Sequence, residues 1–381
     1  MLNRKLLYSD INSFLVIFAL IDLLYLPRLT SFLAIPISLC FLPFVLKDIK
    51  LNKNHSVIIV FFLLSIIGSL LYSTILNKEL LTDDIKRALQ LISFSLYLYS
   101  SSIVKYNERT YLLIIRVFLI WIFILSLLFL FDPNKTINTM LYLYPESAFI
   151  EEENLTNLRF SYAFQDPNGA GYLYVMILSV YLILEKNQII KYILLSITCY
   201  SLFLTQSRGA ISSFLLVILY FVFFDRKYLP KYFLFYLLII ALFILYLISK
   251  SHDIMNILDM FLSRGDKESS LGGGRFDKYI YFINNINLLP FGVGYNLSRD
   301  GEIFRPHSDL IRINLSYGIM LTFIIIGIIV PKVKNQIALV IPFIFCFLIN
   351  SALDEYRLIG VYLILNSLLY FHREKYSSNQ E

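Results

Sequence analysis

The apolar positions of this chain fall in long unbroken blocks, separated by short polar connections. A membrane-crossing helix needs about 20 mostly apolar residues, at about 1.5 Å of rise each. Stretches that reach or approach that length run over 11–27, 29–46, 56–76, 88–104 and 111–131, then 169–184, 191–206, 210–224 and 231–249, and finally 308–330, 336–350 and 358–371. The pattern predicts an all-α, polytopic membrane bundle of about twelve spans, folded as a single domain over 1–381. Arg4 and Lys5 precede the first block, and no small-x-small cleavage site follows it, so it reads as an uncleaved first span. Two longer polar stretches interrupt the series, an outer loop at 132–168 and a large one at 250–306 between the ninth and tenth spans. Inside the second, Asp253–Arg264 places Ile254, Ile257, Leu258, Phe261 and Leu262 on one helical face, and Arg275–Ile286 does the same with Tyr279, Phe282 and Ile286. These predict amphipathic helices lying on the membrane surface or capping the bundle, with Gly272, Gly273 and Gly274 as a hinge between them.

Charge fixes the expected orientation. With the N-terminus in the cytoplasm, the inner side carries Arg4, Lys5, Lys47, Lys50, Lys53, Lys105, Arg109, Lys186, Lys191, Arg226, Lys227, Lys231, Lys332, Lys334, Arg373 and Lys375. The short outer loops carry only Arg28, Lys78, Lys86, Arg87, Arg208 and Arg357. Basic residues favour the cytoplasmic side, so both termini are expected inside and both long loops outside. Of the charged residues inside the apolar blocks, Arg116 reads as reaching toward headgroups, and Asp22 has Arg28 as a candidate partner.

Composition agrees with this picture. The chain is 58% hydrophobic, with a formal net charge of +6, and soluble domains use roughly 45–50% apolar residues. In a soluble protein that charge would suggest nucleic acid. Here it sits in connecting loops, and no nucleic-acid partner is expected. Cys40, Cys199 and Cys346 lie far apart inside apolar blocks. That excludes a disulfide framework and a Cys/His metal site.

Four polar features then converge on the outer face: Phe164–Asn168 entering the sixth span, Ser207-Arg208-Gly209 between the seventh and eighth, Arg275 after the glycine run, and His307 entering the tenth. Arg208 is either a guanidinium that forks onto phosphate or an interfacial arginine extended to headgroups. Arg275 opens a helix, where backbone N–H groups and a guanidinium make an anion site; the plainer alternative is a solvated loop charge. His307 follows Pro306 and precedes Ser308 and Asp309, a place for a general base or for a helix cap. Asp166 and Asn168 bracket Pro167 as a helix-start signal, with capping the simpler reading. Arg299 and Arg305 add positive charge to the same outer loop. The GVG of Gly292–Gly294 lacks the strand and spacing of a dinucleotide fingerprint and reads as a backbone turn.

In order, FQDPNGAG, TQSRGA, GGGRFDKYIYF with NLLPFGVGYN, and PHSDLIRINLSYGI resemble the O-antigen ligase/polymerase family of bacterial envelope proteins, over about residues 159–318. The resemblance implies an integral-membrane glycosyltransferase of the GT-C type, without metal or cofactor, located in the bacterial cytoplasmic membrane. It implies undecaprenyl-diphosphate-linked glycans as donor and acceptor, membrane lipid as surroundings, and a chain-length regulator protein as a further partner. The family arginine of the SRGA block matches Arg208, the arginine opening the outer-loop helix matches Arg275, and the family histidine matches His307. Around these, Arg299, Arg305, Asp166, Asn168 and Asp309 are expected at the substrate. One departure is Ser308, where the family often has asparagine.

The implied reaction suits these residues. Arg208 and Arg275 would hold the lipid diphosphate as it leaves, and His307 would deprotonate the acceptor hydroxyl in a single inverting displacement. Polymerisation of repeat units is the first expectation and ligation to a lipid A core the second. A lipid-linked oligosaccharide flippase or secondary transporter is the alternative of another class; charged, broken helices at mid-membrane would favour it.

Overall fold

Polar punctuation sets the helix ends. The computed structural model describes residues 2–28, 35–45, 53–77, 82–102, 104, 106–145, 159–233, 275–293, 298–299, 302–303, 308–353 and 355–377. Its helices are α1 (Leu2–Tyr25), α2 (Ser38–Val45), α3 (Lys53–Asn77), α4 (Thr82–Ser102), α5 (Glu108–Phe131), α6 (Pro133–Leu143), α7 (Pro167–Leu184), α8 (Gln188–Thr205), α9 (Arg208–Phe224), α10 (Arg275–Asn284), α11 (Asp309–Ile329), α12 (Ile337–Ile349) and α13 (Tyr356–Ser377). Side-chain oxygens cap several starts, as the orphan N–H groups of a first turn require. Asn107 accepts from Arg109 N at 3.2 Å, Asp166 from Asn168 N at 2.9 Å, and Asn187 from Ile189 N at 3.0 Å. A two-residue antiparallel ladder pairs Ser298 with Ile303 and Arg299 with Glu302.

The helices α3, α5, α7, α8 and α11 are long and apolar enough to cross a membrane. The second predicted span, 29–46, holds helix only over Ser38–Val45 among the described residues. At about 1.5 Å per residue that is about 12 Å, against a hydrocarbon layer of about 30 Å. The ninth predicted span, 231–249, falls almost entirely outside the described residues, as do Asp253–Arg264 and the glycine hinge. The second amphipathic segment does form helix, as α10.

Burial sorts the spans into a centre and a rim. The apolar window of α7 is 94% buried, against 28% for α3 and 39% for α5. A helix apolar all round belongs inside, and α7 packs against α5, α8, α9, α12 and α13. On the rim, α5 exposes Leu113, Val117, Ile120, Ile124 and Leu128, while α3 exposes Val60, Phe61, Leu64, Ile67, Leu71 and Ile75. Apolar residues left exposed at helical spacing along whole helices are the outer surface of a multi-pass membrane protein.

The bundle has two polar ends. At the upper end, where α7, α9, α11 and α13 begin, Phe160 N donates to Leu204 O at 3.0 Å and Asp309 N to Asn350 O at 3.3 Å. Arg357, 1% exposed, caps the last carbonyls of α1 by donating to Leu23 O at 2.6 Å and Leu26 O at 2.8 Å, and its guanidinium lies 5.2 Å from the Tyr144 ring centre. Arg28 pairs with Glu355, and Asp22 accepts from Ser38 N at 2.6 Å. At the lower end, Lys334 pairs with Asp225 at 2.9 Å and His372 with Glu108 at 3.2 Å. Arg116 is there too, bonded to the buried Glu185 at 2.7 Å from Nε to Oε2.

Candidate active site

The upper end gathers the sequence motifs. Asp166, the cap of α7, accepts from Asn168 N and, at 3.1 Å, from Asn168 Nδ2. The amide oxygen of Asn168 accepts from Arg159 Nη2 at 3.3 Å, while Arg159 Nε donates to Thr205 O, the last residue of α8, at 3.2 Å. Arg159 is 6% exposed. It therefore ties the first of the four motifs to the second.

The second motif turns between α8 and α9 in two residues. Gln206 takes the left-handed conformation at φ 49°, and Ser207 caps α9 by accepting from Ala210 N at 3.3 Å. One glycine from each of the first two motifs allows close approach. A Cβ on Gly209 would sit 2.2 Å from Tyr172 Oη, and one on Gly171 would sit 2.7 Å from Ala210 Cβ. The starts of α7 and α9 are thus pressed together, and Arg208, exposed, is the first residue of α9.

The fourth motif starts α11. Ser308 caps it, accepting from Ile311 N at 3.5 Å, and Tyr279 of α10 donates toward Ser308 Oγ at 3.3 Å and to Leu348 O. Asp309 is fully buried. Its carboxylate accepts from Leu353 N at 2.8 Å and from the Arg312 guanidinium. Asn350 joins this motif to the first: its carbonyl accepts from Asp309 N at 3.3 Å, and its Nδ2 donates to Asp166 Oδ2 at 3.3 Å. A continuous run of hydrogen bonds therefore passes from Thr205 through Arg159, Asn168, Asp166 and Asn350 to Asp309.

Of the residues expected at the substrate, Asp166, Asn168 and Asp309 lie within that run, with their polar atoms engaged by protein. Arg208 lies at the same end. Arg275 is the first residue of α10, and Arg299 pairs in register with Glu302; only their backbones are described. Arg305 and His307 lie outside the described residues, although His307 directly precedes the cap Ser308. Sequence reasoning missed Arg159, Arg312, Asn350 and the Tyr279 hydroxyl as connecting groups. The signal was present in part: Asn350 is the polar residue that closes the apolar block 336–350, and Arg312 stands one turn after Asp309.

The third motif has a backbone explanation. In an unbroken helix, Ile319 N would donate to Leu315 O. Instead Gly318 breaks α11 at φ 84°, ψ −179°. Ile319 N donates to Leu289 O at 3.0 Å, and Leu315 O accepts from Val293 N at 3.3 Å. The segment 287–293 thus takes up both of these backbone groups. Asn287 and Asn314 fasten its start through bonds of 2.8 and 3.1 Å, and Gly292 N donates to Ser69 Oγ of α3 at 3.1 Å. A Cβ on Gly292 would fall 2.1 Å from Ser316 C, so the first glycine of GVG is where backbone meets backbone. Gly318 lies about 14 Å along α11 from its start, at about 1.5 Å per residue. Irregular backbone at such depth persists when protein satisfies its polar groups.

No curated protein matches this chain. Residues 193–326 match the family model described as O-antigen ligase. That stretch runs from within α8 into α11 and includes Arg208, Arg275, Arg299, Arg305, His307 and Asp309; Asp166 and Asn168 precede it. The match over residues 193–326, about a third of the chain, supports an O-antigen ligase/polymerase-type membrane enzyme, and the lipid-facing helices agree with a multi-pass membrane protein.

Proposed function

We propose that the protein polymerises undecaprenyl-diphosphate-linked repeat units into O-antigen or capsular polysaccharide, at the outer face of the cytoplasmic membrane. The observation that carries the reading is the convergence of the starts of α7, α9 and α11 at one end of the bundle, locked by Asn350 and Arg159. Each helix start carries a partial positive charge worth about 0.3–1 kcal/mol toward an anion. Arg208 stands exposed among them. The lower end holds the lysine- and arginine-rich short loops, which supports placing it in the cytoplasm and the upper end outside.

In this reading His307 takes the proton of the acceptor hydroxyl, whose oxygen attacks the anomeric carbon of the donor. The bond from that carbon to the phosphate oxygen breaks, and undecaprenyl diphosphate leaves with its charge held by Arg208 and Arg275. The displacement inverts the anomeric centre and uses no metal. Asp166, Asn168 and Asp309 hold the helix starts that frame the site.

A second reading is ligation of a finished glycan to lipid A core, favoured by the description of the matching family model. One experiment separates the readings. The purified protein is supplied with lipid-linked repeat units alone, or with finished glycan and lipid A core. Lengthening with repeat units alone supports the polymerase; product only when lipid A core is present supports the ligase. His307→Ala should then lower product by about 10²–10⁴-fold. In cells it should leave single repeat units on the outer leaflet. Units trapped on the inner leaflet would overturn both readings in favour of a flippase.

A further inference from the structure

The opposite end of the molecule holds a cavity of about 830 Å³, lined by the starts of α5 and α8 and the end of α7. We propose that it binds the phosphate headgroup of an anionic membrane lipid. Its cations are Arg109, Arg116 and Lys186, and Arg109 and Lys186 are exposed. Its two carboxylates turn toward protein. Glu185 accepts from Arg116 Nε at 2.7 Å and from Asn187 N at 2.8 Å, and Glu108 lies 3.2 Å from His372 Nδ1. Helices α5 and α8 both begin at this cavity, so two positive dipole ends face it.

The helix faces beyond the cavity argue for a lipid rather than a free anion. On α5, Leu113, Val117 and Ile120 continue the face of Arg109 at helical spacing and are 59%, 49% and 44% exposed. On α8, Ile189 and Ile193 are exposed beside them. These stripes lead from the cavity up the rim of the bundle, where acyl chains would lie above a headgroup bound at the lower end. Basic pockets at this level of a membrane protein take anionic headgroups, each cation contributing about fivefold to affinity. The site lies at the end away from Arg208, so the proposal stands or falls independently of the glycosyl transfer.

The test uses the full chain in detergent, with native mass spectrometry counting bound phosphatidylglycerol or phosphatidylcholine. Phosphatidylglycerol should be retained in clear preference, and the double variant Arg109→Ser, Lys186→Ser should weaken it about 25-fold, from about fivefold for each cation. Each single variant should weaken it about fivefold, which keeps the test usable if the double variant folds poorly. The control Lys227→Ser, Lys332→Ser, which removes lower-end charge outside the cavity, should bind as the parent does. Equal retention of the two lipids overturns the proposal, as does unchanged binding in the cavity variants or an equal loss in the control pair. Displacement of phosphatidylglycerol by excess inorganic phosphate would reassign the site to a free phosphate and also overturn it.

Discussion

Two glycines on one helix should respond to alanine with opposite signs. Gly318 occupies φ 84°, ψ −179°, a region that a Cβ makes costly by about 1–3 kcal/mol. An alanine Cβ there would also stand 2.6 Å from Leu289 O and 2.7 Å from the Pro290 carbonyl carbon. The segment 287–293 must then withdraw, which removes the bonds from Ile319 N to Leu289 O and from Val293 N to Leu315 O. At about 1 kcal/mol for each hydrogen bond, the total loss is about 3–5 kcal/mol. Nothing lies within 4 Å of a Cβ on Gly327. There alanine should stabilise α11 by up to about 1 kcal/mol, through helix propensity alone.

The assay is thermal unfolding of both variants in the same detergent, alongside glycan product made by matched amounts of folded protein. Gly318→Ala should lower the unfolding temperature by about 6–20 °C, since 1 kcal/mol moves a chain of a few hundred residues by about 2–4 °C. It should also lose product, because the segment it displaces connects α10, opened by Arg275, to the break in α11. Gly327→Ala should unfold no lower than the parent and keep its product. If Gly318→Ala matched Gly327→Ala in both measurements, α11 would run unbroken and segment 287–293 would not be docked against it.

Asn350→Ala should cost about 1 kcal/mol by removing one of the two side-chain donors to Asp166 Oδ2, Asn168 Nδ2 being the other, and Asn350→Asp more, by adding a carboxylate beside Asp166; unfolding temperatures of the two variants give the order. Arg208→Lys should lose nearly as much product as Arg208→Ala, because a point charge does not replace a fork that holds two phosphate oxygens; near-normal product from the lysine variant at normal expression would reduce Arg208 to a charge. Cysteine introduced at Ser269 should react with an impermeant reagent applied outside intact cells and one at Ser377 should not, and the reverse pattern would invert the topology.

Much of the bundle was legible because lipid imposes a simple rule on sequence: long apolar blocks become helices, and Asn107, Asp166, Asn187 and Ser207 mark where several of them start. Length was the weaker signal. The block 29–46 contains Pro36 and Pro43, and its described helix is only Ser38–Val45. Proline inside an apolar block removes a backbone donor, which hydropathy does not register. The break at Gly318 was hidden for a related reason. LSYGIM carries one glycine in an apolar block, and what makes it break is segment 287–293, nearly 30 residues earlier, offering Leu289 O and Val293 N. A partner for backbone groups cannot be read from the helix that receives it.

The same limit explains why Asp166 and Asp309 were expected at the substrate. Sequence shows that a carboxylate stands at a helix start; it does not show which way its oxygens are used. At the upper end these two acids turn inward. Asp309 is fully buried against Leu353 N and Arg312, and Asp166 bonds Asn168 and Asn350. Arg208, by contrast, is exposed at the first turn of α9. A junction that uses Asp166 and Asp309 as struts and exposes a guanidinium beside them at a helix start suits a negatively charged ligand over a cation. The broken helix bears on the choice between transfer and transport in the same way. In a transporter, a break exposes backbone ends or charges to the cargo. Here the released groups of Leu315 and Ile319 are both taken by protein backbone, and the adjoining Ser316, Tyr317 and Ile319 carry no charge. The break in α11 is a socket for segment 287–293, which lies between Arg275 and His307 in sequence, and a socket filled by protein backbone suits a fixed site better than a moving gate.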